Sequence, residues 1–484
     1  MHLSDLLTSD HQTAVNPIVT GISSDSRQIS NGFVFIAIKG TSIDGNQFID
    51  DAISKGAVAI ITDQDVADPQ VPVIRVDDSR LALAQIASRL YSKKPNLLAT
   101  VTGTNGKTSV AEFVRQIWQR MGWQASSIGT LGVRSGRMEM PMPLTTPDAL
   151  MLHQALGQLC ESNISHVILE ASSHGIEQHR LSQLPVAVAG FTNLTRDHLD
   201  HHKTIEAYFA AKLRLFTDLL IDGGTAVINT DNDYGKTIVK AISDRQIRII
   251  TVGYNADADF QIIENENLPW GQLITVKHDG HNYKVPLALL GSFQGENAVL
   301  AAAMAHASGL SATHALLSLP YLMPANGRMH SIFLSHNTAR VVVDYAHTPD
   351  ALDTVLKTLR EVVQGKLYVV FGCGGNRDKG KRVEMGKSAA TWADHVIVTD
   401  DNPRNEDPAA IRADIMTGCP DAENMADRAK AISYAINQLD NEDILLIAGK
   451  GHENQQLIGN ETLPFSDEGT VRAILRTQAV GEIA

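Results

Sequence analysis

The hydrophobic residues of this chain fall into short runs of the buried-strand type, separated by segments with helical spacing. Residues 32–38 and 58–61 read as strands, with a helical pattern over 48–55 between them. Lys93-Lys94-Pro95-Asn96 then interrupts, because proline disfavours helix at the residue before it. Beyond it, apolar runs at 97–101, 166–170, 186–191, 224–229 and 247–252 alternate with helical patterns such as 110–118, which predicts a mainly parallel sheet covered by helices. Over 259–285 the alternation turns antiparallel in type around Asp279-Gly280, a hairpin excursion inside the central domain. A second break, Met323-Pro324-Ala325-Asn326-Gly327-Arg328, precedes strand-like runs at 340–344, 367–371, 395–399 and 443–448. The expected fold is α/β in three domains: a small N-terminal α/β domain (1–94), a central P-loop-type domain built on a mainly parallel sheet (95–325) and a doubly wound, Rossmann-like C-terminal domain (326–484).

At 484 residues and 43% hydrophobic positions, the chain is long enough for several cores. Its 41 basic and 54 acidic residues leave a net charge of −13 with no basic tract, so nucleic acid is not an expected partner. An anionic substrate must then be held by local arginines, lysines and Mg²⁺. Three cysteines without a CxxC pair point to neither a disulfide framework nor a zinc site. The N-terminus carries charges where a signal peptide needs an apolar core, and nowhere do about 18 apolar residues run together; a cytoplasmic monomer with no membrane insertion is expected.

The chemistry begins at Gly103-Thr104-Asn105-Gly106-Lys107-Thr108, between a strand-like run and a helix start. Such a loop offers polyphosphate free backbone N–H groups, a helix-dipole end, a lysine and a Mg²⁺-binding hydroxyl. The common P-loop has four residues between its first glycine and Gly-Lys, whereas here Gly103 leaves only two. Glu170 closes a buried-type strand and could reach a metal over that loop, and His198 follows the next strand at a similar height. Alone, either residue also suits a cap or a core position. Lys212 sits on a helical stripe with Tyr208, Phe209 and Phe216, where a lysine must snorkel, pair or lose its charge. In the last domain, Gly372-Cys373-Gly374-Gly375-Asn376-Arg377 fails as a dinucleotide fingerprint, because arginine stands at the third glycine position. Arg377, Arg404 of Asp401-Asn402-Pro403-Arg404, and Glu453 of Gly449-Lys450-Gly451-His452-Glu453 lie at neighbouring strand ends instead. Two guanidinium groups and a carboxylate there suit an amino acid ligand.

The shortened loop resembles that of the Mur ligases, ATP-dependent amino acid ligases of peptidoglycan synthesis, with folylpolyglutamate synthetase as a relative. The motif order is similar to that of members adding the third peptide residue, over roughly residues 20 to 470. This resemblance implies that Gly103 to Thr108, Asn297, Arg328 and Asp344 bind ATP, and that Thr108, Glu170, His198 and a CO₂-carbamylated Lys212 hold Mg²⁺, with Lys107, His198, Lys212 and Arg328 catalytic. Gln294 stands where the family usually has asparagine near adenine. It further implies a UDP-N-acetylmuramoyl-L-Ala-D-Glu site at Ser24, Ser26, Thr145, Thr146, Ser172, Gln178 and Arg180, with the loop 40–45 nearby. Arg377, Asp401, Asn402, Pro403, Arg404, Gly449 and Glu453 are then the meso-diaminopimelate site, and the Asp-Asn-Pro-Arg form marks diaminopimelate rather than lysine users. The implied reaction joins meso-diaminopimelate to the D-glutamyl γ-carboxylate through an acyl phosphate. A folate ligase would need a pterin site, and a nucleotide-driven switch or transport ATPase would have no use for the amino acid grip.

Overall fold

The computed structural model describes the chain apart from residues 8–14, 41–42, 68–69, 137, 196, 335–337 and 482–484, and apart from the side chains of 199, 200 and 478–481. Two compact units emerge from its contacts: residues 1–261 with 300–315, and residues 262–299 with 316–484. The excursion after residue 261 thus groups with the C-terminal portion. Among the described residues no helix is long and apolar enough to cross a membrane.

In the first unit the N-terminal portion is a four-stranded parallel sheet of Gly21–Ser23, Phe33–Ile36, Ala59–Thr62 and Val73–Arg75, in that order. The helical pattern expected at 48–55 is split into a 3₁₀ turn, Gly45–Phe48, and a helix, Ile49–Ser54, because Asp44 caps the turn by accepting from Asn46 N at 3.0 Å. The larger sheet runs Arg248–Gly253, Leu220–Asn229, Val186–Phe191, Leu97–Thr102, His166–Glu170 and Ala125–Gly129, all parallel. Antiparallel strands Gly132–Ser135 and Glu139–Met140 finish its edge. Strand Leu97–Thr102 lies between two parallel neighbours and is buried from Leu98 onward, Thr100 and Thr102 included. Helix packing is close on this sheet: a Cβ on Gly190 would come 2.5 Å from Met304 Sδ.

The second unit contains a sheet in the order His330–Phe333, Arg340–Asp344, Ile444–Ala448, Leu367–Phe371, His395–Val398 and Glu423–Asn424, parallel except for its first strand. Alternate residues feed two cores: Val342, Val369 and Leu446 on one face, Val341, Val370 and Leu445 on the other. That doubly wound arrangement puts Asp344 at a strand end and opens the neighbouring ends into the loops carrying Arg377, Asp401 and Gly449. The hairpin Gly271–His278 with His281–Leu287 turns at Asp279-Gly280, where both residues have positive φ, 46° and 77°. None of the three cysteines is in a disulfide, and Cys373 and Cys419 are buried.

His153, fully buried in helix Ala149–Glu161, is held down to about 4 from 6.5 by burial and then by the nearby Lys94 charge. The unfolded chain takes up a proton below about 6.5, while the folded chain resists until about 4. Stability from this group is therefore complete above 6.5 and falls as pH drops towards 4. His153→Leu should flatten the dependence of Tm on pH between 7 and 4; slopes equal to wild type would contradict the assignment.

Candidate active site

The phosphate-type loop is fixed by the segment following strand Val186–Phe191. Thr104 N donates to Asn193 O at 2.9 Å, Asn105 N to Asn193 Oδ1 at 3.0 Å, and Thr192 Oγ1 to Asn105 O at 2.6 Å. Gly103 has φ +150°, and a Cβ there would lie 1.8 Å from Thr192 Oγ1, so only glycine fits. Gly106, with φ +85°, precedes helix Lys107–Arg120 without a side-chain cap, and a helix start of that kind suits an anion. The helix begins three residues earlier than the apolar pattern indicates, because Lys107 and Thr108 are polar yet helical.

Lys107 Nζ donates to Gly103 O and Thr104 O, each at 2.8 Å. Lys212, 1% exposed in helix Ile205–Arg214, reaches the same Gly103 oxygen at 2.8 Å, with its Nζ 4.4 Å from the centre of the Tyr208 ring. Burial, and then the Lys107 charge, push Lys212 well below its ordinary value. Lys212 therefore does not snorkel; it stays buried against the Gly103 carbonyl oxygen. Tyr208 and Phe216 are buried beside it, while Phe209 is half-buried against Tyr234.

Glu170 is 2% exposed and firmly held. Its Oε2 accepts from Thr108 Oγ1 at 2.9 Å and Thr130 Oγ1 at 3.2 Å, and its Oε1 accepts from Thr130 N at 2.8 Å. Oxygen donors from Thr108 and Glu170 at one point form the set a hard divalent cation takes, so the residues fit Mg²⁺. His198, in the left-handed region at φ +53°, lies beside Asp197 and edge-on to His174, with centroids 5.2 Å apart. His174 itself is held down to about 4 by burial and by neighbouring His201, His198 and His202.

The residues expected around the muramoyl peptide continue from Glu170. Thr146 Oγ1 donates to Glu170 O at 2.7 Å and pairs with Ser172 Oγ at 3.0 Å, and Ser172 caps helix Ser173–Glu177. Arg180 donates to Thr146 O at 2.6 Å and Gln178 Oε1 at 2.7 Å, and Thr145 pairs with Thr130 at 3.0 Å. One hydrogen-bonded chain thus links Thr145, Thr146, Ser172, Gln178 and Arg180 to Glu170. In the N-terminal sheet, Ser24 is exposed, and Ser26 is buried in a 3₁₀ turn capped by Asp25. Thr41 and Ser42 of the 40–45 loop lie outside the described residues.

Within the second unit, Asp344 is buried with Oδ2 accepting from Met329 N and Oδ1 from Ala346 N, each at 2.7 Å; burial pushes its pKa up. The Arg328 guanidinium lies 4.5 Å from the centre of the Tyr345 ring, and its buried Nε has no hydrogen-bond partner. Its charge also acts on Asp344, lowering that carboxyl against the effect of burial. Gln294 is buried, and its Oε1 accepts from Asn297 Nδ2 at 3.2 Å, so it orients the asparagine.

The residues expected to hold an amino acid include Asn402, which ties several of the neighbouring groups together. Its Nδ2 donates to Glu453 Oε2 at 2.9 Å, while its Oδ1 accepts from Lys450 Nζ at 2.9 Å and Leu457 N at 3.0 Å. Lys450, quoted in the motif but given no role from sequence, is fully buried and also 3.4 Å from Glu453. Arg404, at φ +52°, donates through Nη1 to Gly375 O at 2.9 Å, joining its loop to the one carrying the exposed Arg377. A Cβ on Gly375 would lie 2.0 Å from Pro403 O, and one on Gly449, at φ +114°, 2.8 Å from Asp401 Oδ2. Asp401 Oδ2 is itself buried without a hydrogen bond. Sequence reasoning missed Asn193, Thr130 and Lys450, whose work is to hold the named groups; the strand-end position of Asn193 was the available signal.

Gly103→Ala should abolish nucleotide binding, since the added carbon cannot be accommodated without displacing Thr192 and Asn193. Isothermal titration with ATP checks this; a wild-type Kd would remove the loop from the site.

Three family models match the chain: "Mur ligase family, catalytic domain" over residues 18–91, "Mur ligase middle domain" over 101–305 and "Mur ligase, glutamate ligase domain" over 327–451. A UDP-N-acetylmuramoyl-L-alanyl-D-glutamate--2,6-diaminopimelate ligase of Bradyrhizobium diazoefficiens is 45% identical over 486 residues, covering 99% of this chain and all of the relative. The enzyme of that name from Agrobacterium fabrum is 46% identical over 457 residues, 94% of this chain and 93% of the relative. A solved structure of a ligase of the same name superposes with a TM-score of 0.72 at 35% identity, covering 99% of both chains. With the shortened phosphate loop, the buried lysine and the strand-end cluster all present in one α/β chain, and with family models and relatives matching along nearly its whole length, the protein belongs to the Mur ligase family.

Proposed function

We infer that this chain catalyses ATP-dependent ligation of meso-diaminopimelate to the D-glutamyl γ-carboxylate of UDP-N-acetylmuramoyl-L-alanyl-D-glutamate, releasing ADP and phosphate. The observation that carries this is full-length likeness, at 45–46% identity, to ligases named for that reaction. The substrate γ-carboxylate attacks the terminal phosphorus of ATP, the bond to the bridging oxygen breaks, and an acyl phosphate and ADP result. The diaminopimelate amine then adds to the acyl carbon, loses a proton, and phosphate leaves as the amide forms.

The chain's residues divide these tasks. Gly103 to Gly106 and Lys107 cradle the phosphates, Asn297, Arg328 and Asp344 receive the nucleotide, and Arg328 offsets charge on the transferring group. Thr145, Thr146, Ser172, Gln178 and Arg180 orient the dipeptide, with Ser24 and Ser26 meeting the uridine portion. Mg²⁺ would be held by Thr108, Glu170, His198 and Lys212, and when bound it supplies electrostatic relief for the phosphate oxygens. Lys212 serves there as a carbamate: its depressed pKa leaves an amine lone pair to bond to CO₂, and loss of a proton yields an anionic ligand. Arg377, Arg404, Asp401, Asn402, Pro403, Gly449 and Glu453 bind diaminopimelate, the guanidinium groups taking carboxylates and Glu453 an ammonium. The motif-based division 1–94, 95–325 and 326–484 assigns UDP-substrate, ATP and amino acid to successive domains, and the protein acts as a cytoplasmic monomer.

The deciding assay measures phosphate release with and without each substrate, using meso-diaminopimelate and L-lysine in parallel. Turnover should require both the UDP-muramoyl dipeptide and diaminopimelate; ATP hydrolysis with neither present would mean a nucleotide switch instead. Arg404→Ala should lower kcat/KM for diaminopimelate by about 10²-fold or more, because it removes the partner of the distal carboxylate, and should leave the weak use of lysine nearly unchanged. Equal losses with both amino acids would remove Arg404 from the specificity site.

A further inference from the structure

Beside the proposed Mg²⁺ position lies a second group of metal-type donors. His174, on helix Ser173–Glu177, faces His201 and His202, on helix Leu199–His202, and one ring nitrogen from each of the three lies within 4.8 Å of the others. The His174 and His201 rings are 4.1 Å apart by centroid, and the His201 and His202 rings 4.7 Å. The Glu177 carboxylate joins them, with Oε2 2.7 Å from His201 Nε2 and 4.0 Å from His202 Nδ1.

We propose that His174, His201, His202 and Glu177 bind a borderline divalent transition metal of the Zn²⁺ or Co²⁺ type, at a site distinct from the Mg²⁺ position. Three features carry this. Three imidazoles and one carboxylate form a donor set that first-row transition ions take in preference to Mg²⁺, which favours oxygen. The His202 side chain is 2% exposed and its Nε2 pairs with Ser173 Oγ at 2.9 Å, so Nδ1 is turned towards Glu177; this is the outer hydrogen bond that orients a metal-binding imidazole. The donors also converge from two separate helices, with His201 29% and Glu177 47% exposed, which gives an ion a way in. Nitrogen–metal distances of about 2.0–2.1 Å need the donors to close around an ion, and the part-exposed His201 and Glu177 have room to turn towards one.

An ion held there would pin helix Leu199–His202 to helix Ser173–Glu177. His198 immediately precedes the first of these helices, and Gln178 immediately follows the second. Occupancy would therefore fix the approach of a proposed Mg²⁺ ligand relative to the dipeptide-binding segment. No ligase activity is needed to detect such binding, so its failure would leave the proposed reaction untouched.

The test titrates the full-length protein with CoCl₂ in saturating MgCl₂ and follows the visible d–d absorption. One Co²⁺ per chain should bind, with the intense bands of a four- or five-coordinate nitrogen site, and equimolar ZnCl₂ should abolish the colour. His201→Ala and Glu177→Gln, each checked for wild-type circular dichroism, should weaken Co²⁺ binding by about 10-fold or more, while His198→Ala keeps the spectrum. The proposal is overturned if only the weak bands of octahedral Co²⁺ appear, if Mg²⁺ displaces the ion, or if His198→Ala removes the signal and His201→Ala preserves it.

Discussion

Two lysine side chains converge on one carbonyl oxygen, that of Gly103, and much of the first unit is arranged to permit it. Unit charges about 4 Å apart repel by on the order of 4 kcal/mol at an effective dielectric of about 20, so the arrangement needs relief. Part comes from the carbonyl dipole, part from the Tyr208 ring face, and part from Lys212 giving up its proton readily. The remaining positive potential is an invitation to an anion. The backbone must also come close enough to accept both lysines, which is why residue 103 has no side chain and why Thr192 occupies the space one would fill.

The second unit meets a similar difficulty in the opposite way. Lys450 is as inaccessible as Lys212, but it lies against the Glu453 carboxylate and the Asn402 amide oxygen, so a charge of opposite sign stands beside it. Breaking such a buried pair strands a charge, so the loop after strand Ile444–Ala448 is tied to the loop after His395–Val398 through Asn402. A lysine set against a carboxylate ties two loops together; a lysine set only against a carbonyl oxygen and a ring face has its pKa lowered. One chain uses both.

Much of this was legible in the residues. Strands buried on both faces announced themselves as unbroken apolar runs, and 166–170, 186–191, 340–344 and 367–371 match the structure residue for residue. The short edge strands Gly132–Ser135 and Glu139–Met140 were invisible, because Arg134 and Glu139 sit among few apolar neighbours and pairing alone defines them. The site shows the same division. Groups carrying charge or chemistry could be named from motif and strand-end position. Thr130 and Lys450 could not, since their contribution is a hydrogen bond to a residue 40 or 48 positions away; Asn193 follows a strand end, yet nothing local shows that it holds a residue 88 positions away.

Arg404 occupies left-handed backbone, with its carbonyl accepting from Gly459 N at 2.7 Å and its amide donating to Leu457 O at 3.0 Å. A β-branched side chain in that conformation is strained, whereas glycine, asparagine or aspartate is tolerated. The backbone therefore narrows what this position can become: residues such as valine, isoleucine and threonine are disfavoured whatever the loop binds, and the loop's own geometry filters the substitutions that selection can sample.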